Sequence, residues 1–367
     1  MSNIRIGLPN IDIMFKQKAV TAITRSERGI LAVIVKETKK THTKENKITY
    51  KRGTDVNQDT FTEANYTAIM RAFDVAVNKV HVFRCKGDAT ADEVVKEIEK
   101  VRINYICTND ADYQQGLANY VKQYNNDNQG HKIVGVVSNV TTADSKYIIN
   151  VKGAGGVLKT GKEVKAEDYV IRIASTLANL PMNRSLTYYV FSDLKSWDDS
   201  YIDSENSIAT WITKGFLTLI NDDDEVKCGR AVNSLTTFTS TDTEDMSYII
   251  IVESMNMILE DIYTTFKDYY VGKYKNTLSN QNLFISAING YLRTLVNEEI
   301  LDDAYDNHAY IDVDAQRNVW VSTGTSEADD WTDYKVQQMS FRTTVYLAGQ
   351  VKITNAMEDL HFVIALA

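Results

Sequence analysis

Short apolar strands and amphipathic helices alternate in the first half of the chain, and this pattern constrains the fold most strongly. Runs with the length and β-branched content of buried strands occur at residues 80–83, 103–107 and 132–137. Apolar residues at helical spacing follow Thr90, where TADE resembles a capping box, and follow Asp112. Such alternation is typical of a mainly parallel sheet with helices on its faces, so we predict an α/β fold.

Further elements extend this pattern in both directions. We predict additional strands at residues 29–35, 147–151, 186–191 and 216–220. We predict helices at residues 164–180, 208–215, 245–271 and 279–301, of which the last two are long. Near the end of the chain, alternation predicts a hairpin with its turn at residues 315–318, built on Ile311, Val313, Val319 and Val321. The C-terminal part is therefore a mixture of helices and antiparallel strands, giving a mixed α/β and α+β protein.

A glycine-rich stretch tests whether the predicted sheet binds a nucleotide. GVLKTGKE at residues 156–163 comes close to the phosphate loop GxxxxGK[ST]. A phosphate loop needs a Ser or Thr hydroxyl at its last position for Mg²⁺, and Glu163 places a negative charge there instead. GxGxxG is also absent after the predicted strands. We interpret the stretch as a turn and predict no cofactor.

Catalytic and metal-binding patterns do not assemble from the remaining residues. The five histidines, at positions 42, 81, 131, 308 and 361, show no metal-ligand spacing, and neither GxSxG nor HExxH occurs. The acidic run at residues 221–225 lacks EF-hand spacing, so we interpret it as a turn between two strands. The sequence therefore indicates neither an enzyme nor a metal protein.

Bulk composition excludes several classes of partner. The formal net charge is −9 and no basic block occurs, so nucleic acid and anionic membranes are poor candidates. The 3 cysteines are odd in number and have no CxxC spacing, which favours synthesis in a reducing cytoplasm. The longest aliphatic run, residues 249–252, is too short to cross a bilayer, and the N-terminus has no secretion-signal pattern.

Both ends of the chain have strand-like patterns that need a sheet to receive them. At the C-terminus, Leu360, Phe362 and Ile364 share one face of an extended chain. At the N-terminus, the same holds for Ile11, Ile13 and Phe15. The simpler interpretation of the C-terminal run is a final strand of the chain's own core. The other interpretation is that these terminal strands add to sheets of neighbouring copies.

Domain boundaries follow from these patterns, because no Gly/Ser-rich linker separates the parts. We predict an N-terminal arm at residues 1–17 and a polar linker at residues 18–28. An α/β region spans residues 29–240, either as one unit or as two units of about 29–150 and 151–240. A C-terminal domain then covers residues 241–354, and a C-terminal arm covers residues 355–367.

Five stretches, in chain order, resemble contractile phage tail sheath proteins. They are IGLPNIDI at residues 6–13, IASTLANLPMNRSLTY at 173–188, GRAVNSLTT at 229–237, the helix and YVGK end at 255–273, and NAMED at 355–359. The opening stretch is similar to sheath N-termini of phages and phage-tail-like bacteriocins of Gram-positive hosts. The resemblance is weakest at residues 40–150, where the family carries a variable, outward-facing α/β region.

The resemblance implies a structural role without a cofactor. Sheath subunits form hexameric rings stacked helically around an inner tube, and their arms add strands to neighbours' sheets. The assembly contracts and drives the tube through a cell envelope. Expected partners are further copies of the chain, the inner tube protein, and baseplate and tail-terminator proteins. Residues 29–240 would then face outward and residues 241–354 would lie next to the tube, in a particle made in the bacterial cytoplasm.

Motion in such an assembly predicts hinges at the roots of the arms. The polar linker has few apolar anchors, so we expect rotation at Val20, Thr21, Ala22 and Ile23, and at Asn355 near the other end. Two alternatives to a contractile sheath remain from the sequence. One is a nucleotide-linked α/β enzyme, and the other is a static self-assembling shell protein.

Overall fold

The computed structural model describes residues 22–39, 46–86 and 96–366. Its strands are β1 (Ile30–Glu37), β2 (Lys47–Tyr50), β3 (Lys79–Lys86), β4 (Tyr105–Thr108), β5 (Val134–Ser138), β6 (Ile148–Lys152), β7 (Gly155–Leu158), β8 (Glu163–Lys165), β9 (Leu194–Trp197), β10 (Phe216–Asp222), β11 (Glu225–Cys228), β12 (His308–Ile311) and β13 (Leu347–Gln350). Its α-helices are α1 (Glu63–Met70), α2 (Gln114–Asp127), α3 (Ala166–Asn179), α4 (Ile208–Thr213), α5 (Ile249–Thr265), α6 (Leu278–Asn297), α7 (Val313–Ser322) and α8 (Asp333–Gln338). Short 3-10 turns are Gly53–Asp55, Gln58–Thr60, Arg71–Phe73, Ala111–Tyr113, Glu244–Ser247 and Ser326–Asp330.

An 8-stranded sheet forms the centre of the α/β region, in the order β11-β10-β6-β5-β4-β1-β3-β2. The inner strands run parallel, and antiparallel β2 and β11 close the two edges. Parallel strands need crossover connections, and α2 and α3 supply them on opposite faces. The predicted α/β class is confirmed. The division of the chain into domains stays a prediction, although one sheet contains strands from both sides of residue 150.

Two apolar cores lie on the two faces of this sheet. One packs α3 against β1, β4 and β6, with Tyr169 and Ile173 fully buried. The other packs α2 against the opposite face through Leu117 and Val121. Strands buried on both sides explain why these segments are apolar at nearly every position. The first crossover helix is described only at residues 96–98, and its predicted capping box lies outside the described residues.

The glycine-rich stretch forms a β-hairpin between β7 and β8, in a 3-stranded sheet with β9. The Leu158 amide donates to the Lys162 carbonyl at 2.8 Å, and Gly161 takes the left-handed conformation with φ +83°. Gly155 has φ +143°, and a Cβ there would come within 2.1 Å of the Val164 carbonyl oxygen. The glycines therefore serve a tight turn and close strand packing, as predicted.

Replacing Lys162 by Ala should leave stability unchanged, within about 0.5 kcal/mol, because the residue is exposed at a hairpin turn. We expect no effect of ATP or GTP on the melting temperature of either protein. Thermal unfolding with and without nucleotide measures this. A nucleotide-dependent stabilisation that the substitution removes would show that the loop binds phosphate after all.

The C-terminal region packs two long helices against a two-stranded sheet. Helix α5 continues into a π-helical turn, Phe266–Tyr270, and α6 starts where the Thr277 side chain accepts from the Asn280 amide. Their shared core includes Met257, Phe284, Ile288 and Leu292. Antiparallel β12 and β13 pair from His308–Gln350 to Ile311–Leu347. The two predicted long helices are thus present, each ending earlier than predicted.

Two predicted elements are wrong. Residues 313–321 form helix α7 instead of a hairpin, because Asp312 caps the helix and Val313 and Trp320 pack against Trp331 and Val336. Residues 186–191 are not a strand: only Val190 makes an isolated bridge, and Tyr188 reverses the chain with φ 58°. Both segments have alternating apolar residues, but the partners that choose their conformation are distant in sequence.

Candidate assembly site

Residues 355–366 form neither a helix nor a strand, and residues 360–366 leave the body of the protein. The side chains of Leu360, Phe362 and Ile364 are 88%, 73% and 69% exposed. Covering each of them would be worth roughly 1.5–3 kcal/mol before the cost of ordering the chain. The interpretation of this run as a final strand of the chain's own core is therefore wrong, and an exposed apolar run of this kind marks an interaction segment.

An apolar groove of about 630 Å³ opens between helices α5 and α6 and strand β13. Aliphatic side chains form most of its wall, among them Ile258, Ile262, Ile288, Leu292, Leu347 and Ile353. A second groove of about 570 Å³ shares Phe266, Phe284 and Val345 with it and extends along the π-helical turn. The two-stranded sheet thus lies beside a concave surface that is apolar along β13 and mixed polar and apolar along the π-helical turn.

Strand β13 has an open edge next to this groove. The Asp312 amide donates to the Tyr346 carbonyl at 3.0 Å, which fixes the alternation of the β12–β13 ladder. By that alternation, the backbone groups of Leu347 and Gly349 point away from β12. Within the described part of the chain, they meet no further strand. This edge can accept an added strand from another segment.

The opposite edge of the small sheet is closed by a side chain. Asn289 of α6 accepts from the Ala309 amide at 2.7 Å and donates to the Ala309 carbonyl at 3.2 Å. Its carboxamide therefore satisfies the outward backbone groups of Ala309 as a neighbouring strand would. This contact hinders strand addition at the β12 edge. The sequence analysis missed Asn289, since an amide on a helix carries no distinctive sequence signal.

Residues 22–28 are held on helix α5. Ile23 is buried in the C-terminal core. The Ser26 amide donates to Asp261 Oδ1 at 2.7 Å, and Arg28 Nη2 contacts Glu253 Oε2 at 2.6 Å. The described part of the predicted linker, residues 22–28, is therefore anchored by one apolar residue and by polar contacts. Ala22 is exposed and precedes these contacts.

A buried carboxylate joins this anchored segment to the α/β region. Glu260 lies 2.7 Å from Arg102 Nη2, 2.6 Å from His131 Nδ1 and 3.8 Å from Arg28 Nη1. Its side chain is only 6% exposed. Neither the Arg102 nor the His131 contact has the alignment of a hydrogen bond, and the Arg102 contact is an ion pair. Burial favours a lower pKa of Arg28, but the charges of Glu253, Tyr105 and Glu260 outweigh it and raise that pKa.

Tyr291 adds a further buried polar contact to the same helix. Its hydroxyl donates to Asp261 Oδ2 at 2.7 Å. Burial, together with the charge of Asp261, raises the pKa of this hydroxyl well above its ordinary value. The hydroxyl therefore stays protonated and keeps donating, which holds Asp261 in place for the Ser26 amide.

The predicted arm and hinge residues have different outcomes. Ile11, Ile13, Phe15, Val20 and Thr21 lie outside the described residues, so their roles stay predictions. Leu360, Phe362 and Ile364 are exposed together at the C-terminal end, with no partner among the described residues.

Ile23 and Asn355 both make contacts within the described part of the chain. Ile23 is a core residue. The Asn355 side chain accepts from the Ala356 amide at 2.8 Å. Their role as hinges stays a prediction.

Other chemistry finds little support in the described ranges. There, no three His, Cys, Asp or Glu side chains come close enough together to hold a metal ion. None of the helices in the same ranges is long and apolar enough to span a membrane.

Comparisons with known proteins point to one kind of assembly. Residues 241–367 match the family described as phage tail sheath C-terminal domain. The chain is 27% identical over 361 residues to a tail sheath protein of Clostridium phage phiCD119, covering 97% of this chain and 98% of that protein.

Solved structures share the fold. A sheath tail protein from Desulfitobacterium hafniense matches with a TM-score of 0.68 at 16% identity, covering 82% of this chain and 94% of that one. The contracted helical sheath of the anti-feeding prophage matches with a TM-score of 0.68 at 12% identity, covering 99% of each chain. The resemblance to tail sheath proteins is confirmed: residues 241–367 match the phage tail sheath C-terminal domain, and the chain as a whole is similar to sheath proteins.

Proposed function

We propose that this chain is the structural subunit of a contractile tail sheath in a phage or a tail-like particle. One observation carries the proposal: the same chain has an open strand edge and an exposed apolar tail that its own body does not cover. Similarity to sheath proteins along nearly the whole chain supports it. The related proteins are structural, which argues against the nucleotide-linked enzyme.

The tail of one copy, residues 360–366, adds as a strand to β13 of another copy. Leu347 and Gly349 offer backbone donors and acceptors along the free edge. With that pairing, Leu360, Phe362 and Ile364 enter the apolar groove beside β13. Main-chain bonds supply general affinity and the groove supplies selectivity, as in other cases of strand addition.

The larger assembly follows from repeating this contact. Copies form hexameric rings that stack helically around an inner tube, with baseplate and terminator proteins at the two ends. Residues 241–354 lie next to the tube and residues 29–240 face outward. Each body moves nearly as a block during contraction, because its packed cores resist continuous deformation. Rotation is concentrated where the chain leaves its anchors, at Ala22 or before it and at Leu360 or after it.

Electron microscopy of the sheath assembled around its tube tests this function. We expect an extended lattice before triggering and a shorter, wider lattice afterwards. A variant with 2 or 3 residues inserted at Ala22 should assemble and stay extended, since the longer linker relaxes the strain between the two states. A single lattice for the wild type would favour a static shell protein. Full shortening of the insertion variant would move the hinge elsewhere.

A further inference from the structure

Three stretches that are far apart in the sequence meet where the C-terminal segment crosses the α/β region. Arg230 Nη2 contacts Asp359 Oδ1 at 2.6 Å, and Arg230 Nε lies 3.5 Å from Glu358 Oε2. The Ser185 hydroxyl donates to Glu358 Oε1 at 2.9 Å. These residues lie in the three stretches NRSLTY, GRAVNSL and NAMED, which the sequence analysis singled out separately.

Hydrogen bonds within the α/β region position the two residues that contact these carboxylates. The Ala231 amide donates to Thr187 Oγ1 at 2.9 Å, and the Tyr188 amide donates to the Cys228 carbonyl at 2.8 Å. These bonds hold Ser185 and Arg230 side by side. Tyr188 keeps a left-handed backbone, with φ 58°, in a residue type for which that conformation is unfavourable. Such a strained backbone persists only where the surrounding structure enforces it.

The contact is selective within the tail. The Glu358 side chain is 7% exposed, whereas Met357 before it is fully exposed, and the Asp359 side chain and Leu360 after it are 79% and 88% exposed. Upstream, the next anchor is Thr354, whose amide donates to the Ile300 carbonyl at 3.0 Å. The segment is thus held at two points, with its apolar residues left free.

The charges of the contact reinforce each other. The hydrogen bond from Arg230 to Asp359 raises the pKa of the guanidinium, with burial acting in the opposite direction and the charges of both carboxylates adding to the increase. Arg230 therefore remains charged and contacts two successive residues of the chain, Glu358 and Asp359. Contacts with two successive residues fix the direction in which the chain runs past Arg230, whereas a single contact would not.

We propose that Arg230 is a positioning residue that, together with Ser185, clamps Glu358 and Asp359 and sets the point at which the C-terminal arm leaves the subunit. The proposal rests on the proposed function, in which that arm reaches another copy. With the clamp closed, the free arm starts at Leu360. Opening it frees residues 355–359 as well, which adds up to about 17 Å of reach at roughly 3.3–3.6 Å per residue. A longer tether lowers the effective concentration of the arm at its intended partner.

A spin label at position 357 measures the clamp in the monomer, independently of assembly. Met357 is fully exposed and the three native cysteines are buried, so Met357→Cys is labelled selectively. We expect restricted label motion in the wild-type background, clearly faster motion with Arg230→Gln, and intermediate motion with Arg230→Lys. Arg184→Gln is the matched control, because it removes the same charge nearby at a residue with no ion pair among the described residues. An unchanged spectrum in Arg230→Gln overturns the clamp.

Assembly around the tube then tests the positioning role. We expect Arg230→Gln to fold with the wild-type melting temperature but to need at least tenfold more protein for assembly, while Arg184→Gln assembles normally. A mobile label combined with normal assembly overturns the positioning role. A wild-type chain that forms no sheath overturns the proposed function instead, and the label spectra identify that case because they do not depend on assembly.

Discussion

Removal of residues 360–367 leaves a monomer that melts as cooperatively as the full chain but no longer polymerises. The described part of the deleted segment is exposed throughout, and Leu360, Phe362 and Ile364 are mostly exposed. Stability should therefore change by less than about 0.5 kcal/mol, the usual range for surface positions. Assembly should be lost, because burial of these three side chains, at roughly 1.5–3 kcal/mol each, recurs at every contact of the lattice.

Substitutions within the tail test whether assembly requires its apolar face or only a tail of the same length. The triple change Leu360→Ser, Phe362→Ser and Ile364→Ser should abolish sheath formation like the deletion. The control His361→Ser with Ala365→Ser alters the other face and should still assemble. Differential scanning calorimetry measures stability, and sedimentation measures polymerisation, on the same samples. A truncated chain without a cooperative melt would assign the tail to its own core.

Replacement of Glu260 by Gln lowers the free energy of unfolding by about 3 kcal/mol, the lower end of the range for breaking a buried ion pair. Its carboxylate lies among Arg28, Arg102 and His131, and the substitution leaves the guanidinium groups of Arg28 and Arg102 buried or half-buried without their shared partner. Partial exposure of Arg102 and His131 keeps the cost from being larger. Urea unfolding of the two proteins measures the difference.

Glu298→Gln is the matched control for this measurement. Glu298 also pairs with an arginine of the N-terminal segment, Arg25, but both side chains are more than a third exposed. An exposed pair contributes about 0–1 kcal/mol, so this variant should unfold close to the wild type. Equal losses in the two variants would contradict the special role of Glu260. A loss confined to Glu260→Gln supports it as the link between the N-terminal segment, helix α5 and the α/β region.

Local sequence pattern was sufficient wherever an element is buried on a regular face. The strand at residues 132–137 and the helix from Asp112 appear as β5 and α2. In each, the spacing of the apolar residues matches only one of the two periodicities, that of a strand or that of a helix. The glycine hairpin was also predictable, since Glu163 argued against phosphate and glycine favoured a turn. In the last third of the chain the same reasoning failed at α7. Alternation of Val313, Val319 and Val321 suited a hairpin, but Asp312 and the packing of Trp320 made a helix.

The sequence by itself determined the α/β class, the two long helices and the presence of an apolar tail, because these depend on periodicity and composition that every segment carries locally. The tertiary structure decided that the tail is not part of the protein's own core, since only the folded body shows that no core receives Leu360, Phe362 and Ile364. It also decided which edge of the small sheet stays open, through Asn289. Such outcomes depend on contacts between residues far apart in the chain, and no local pattern encodes them.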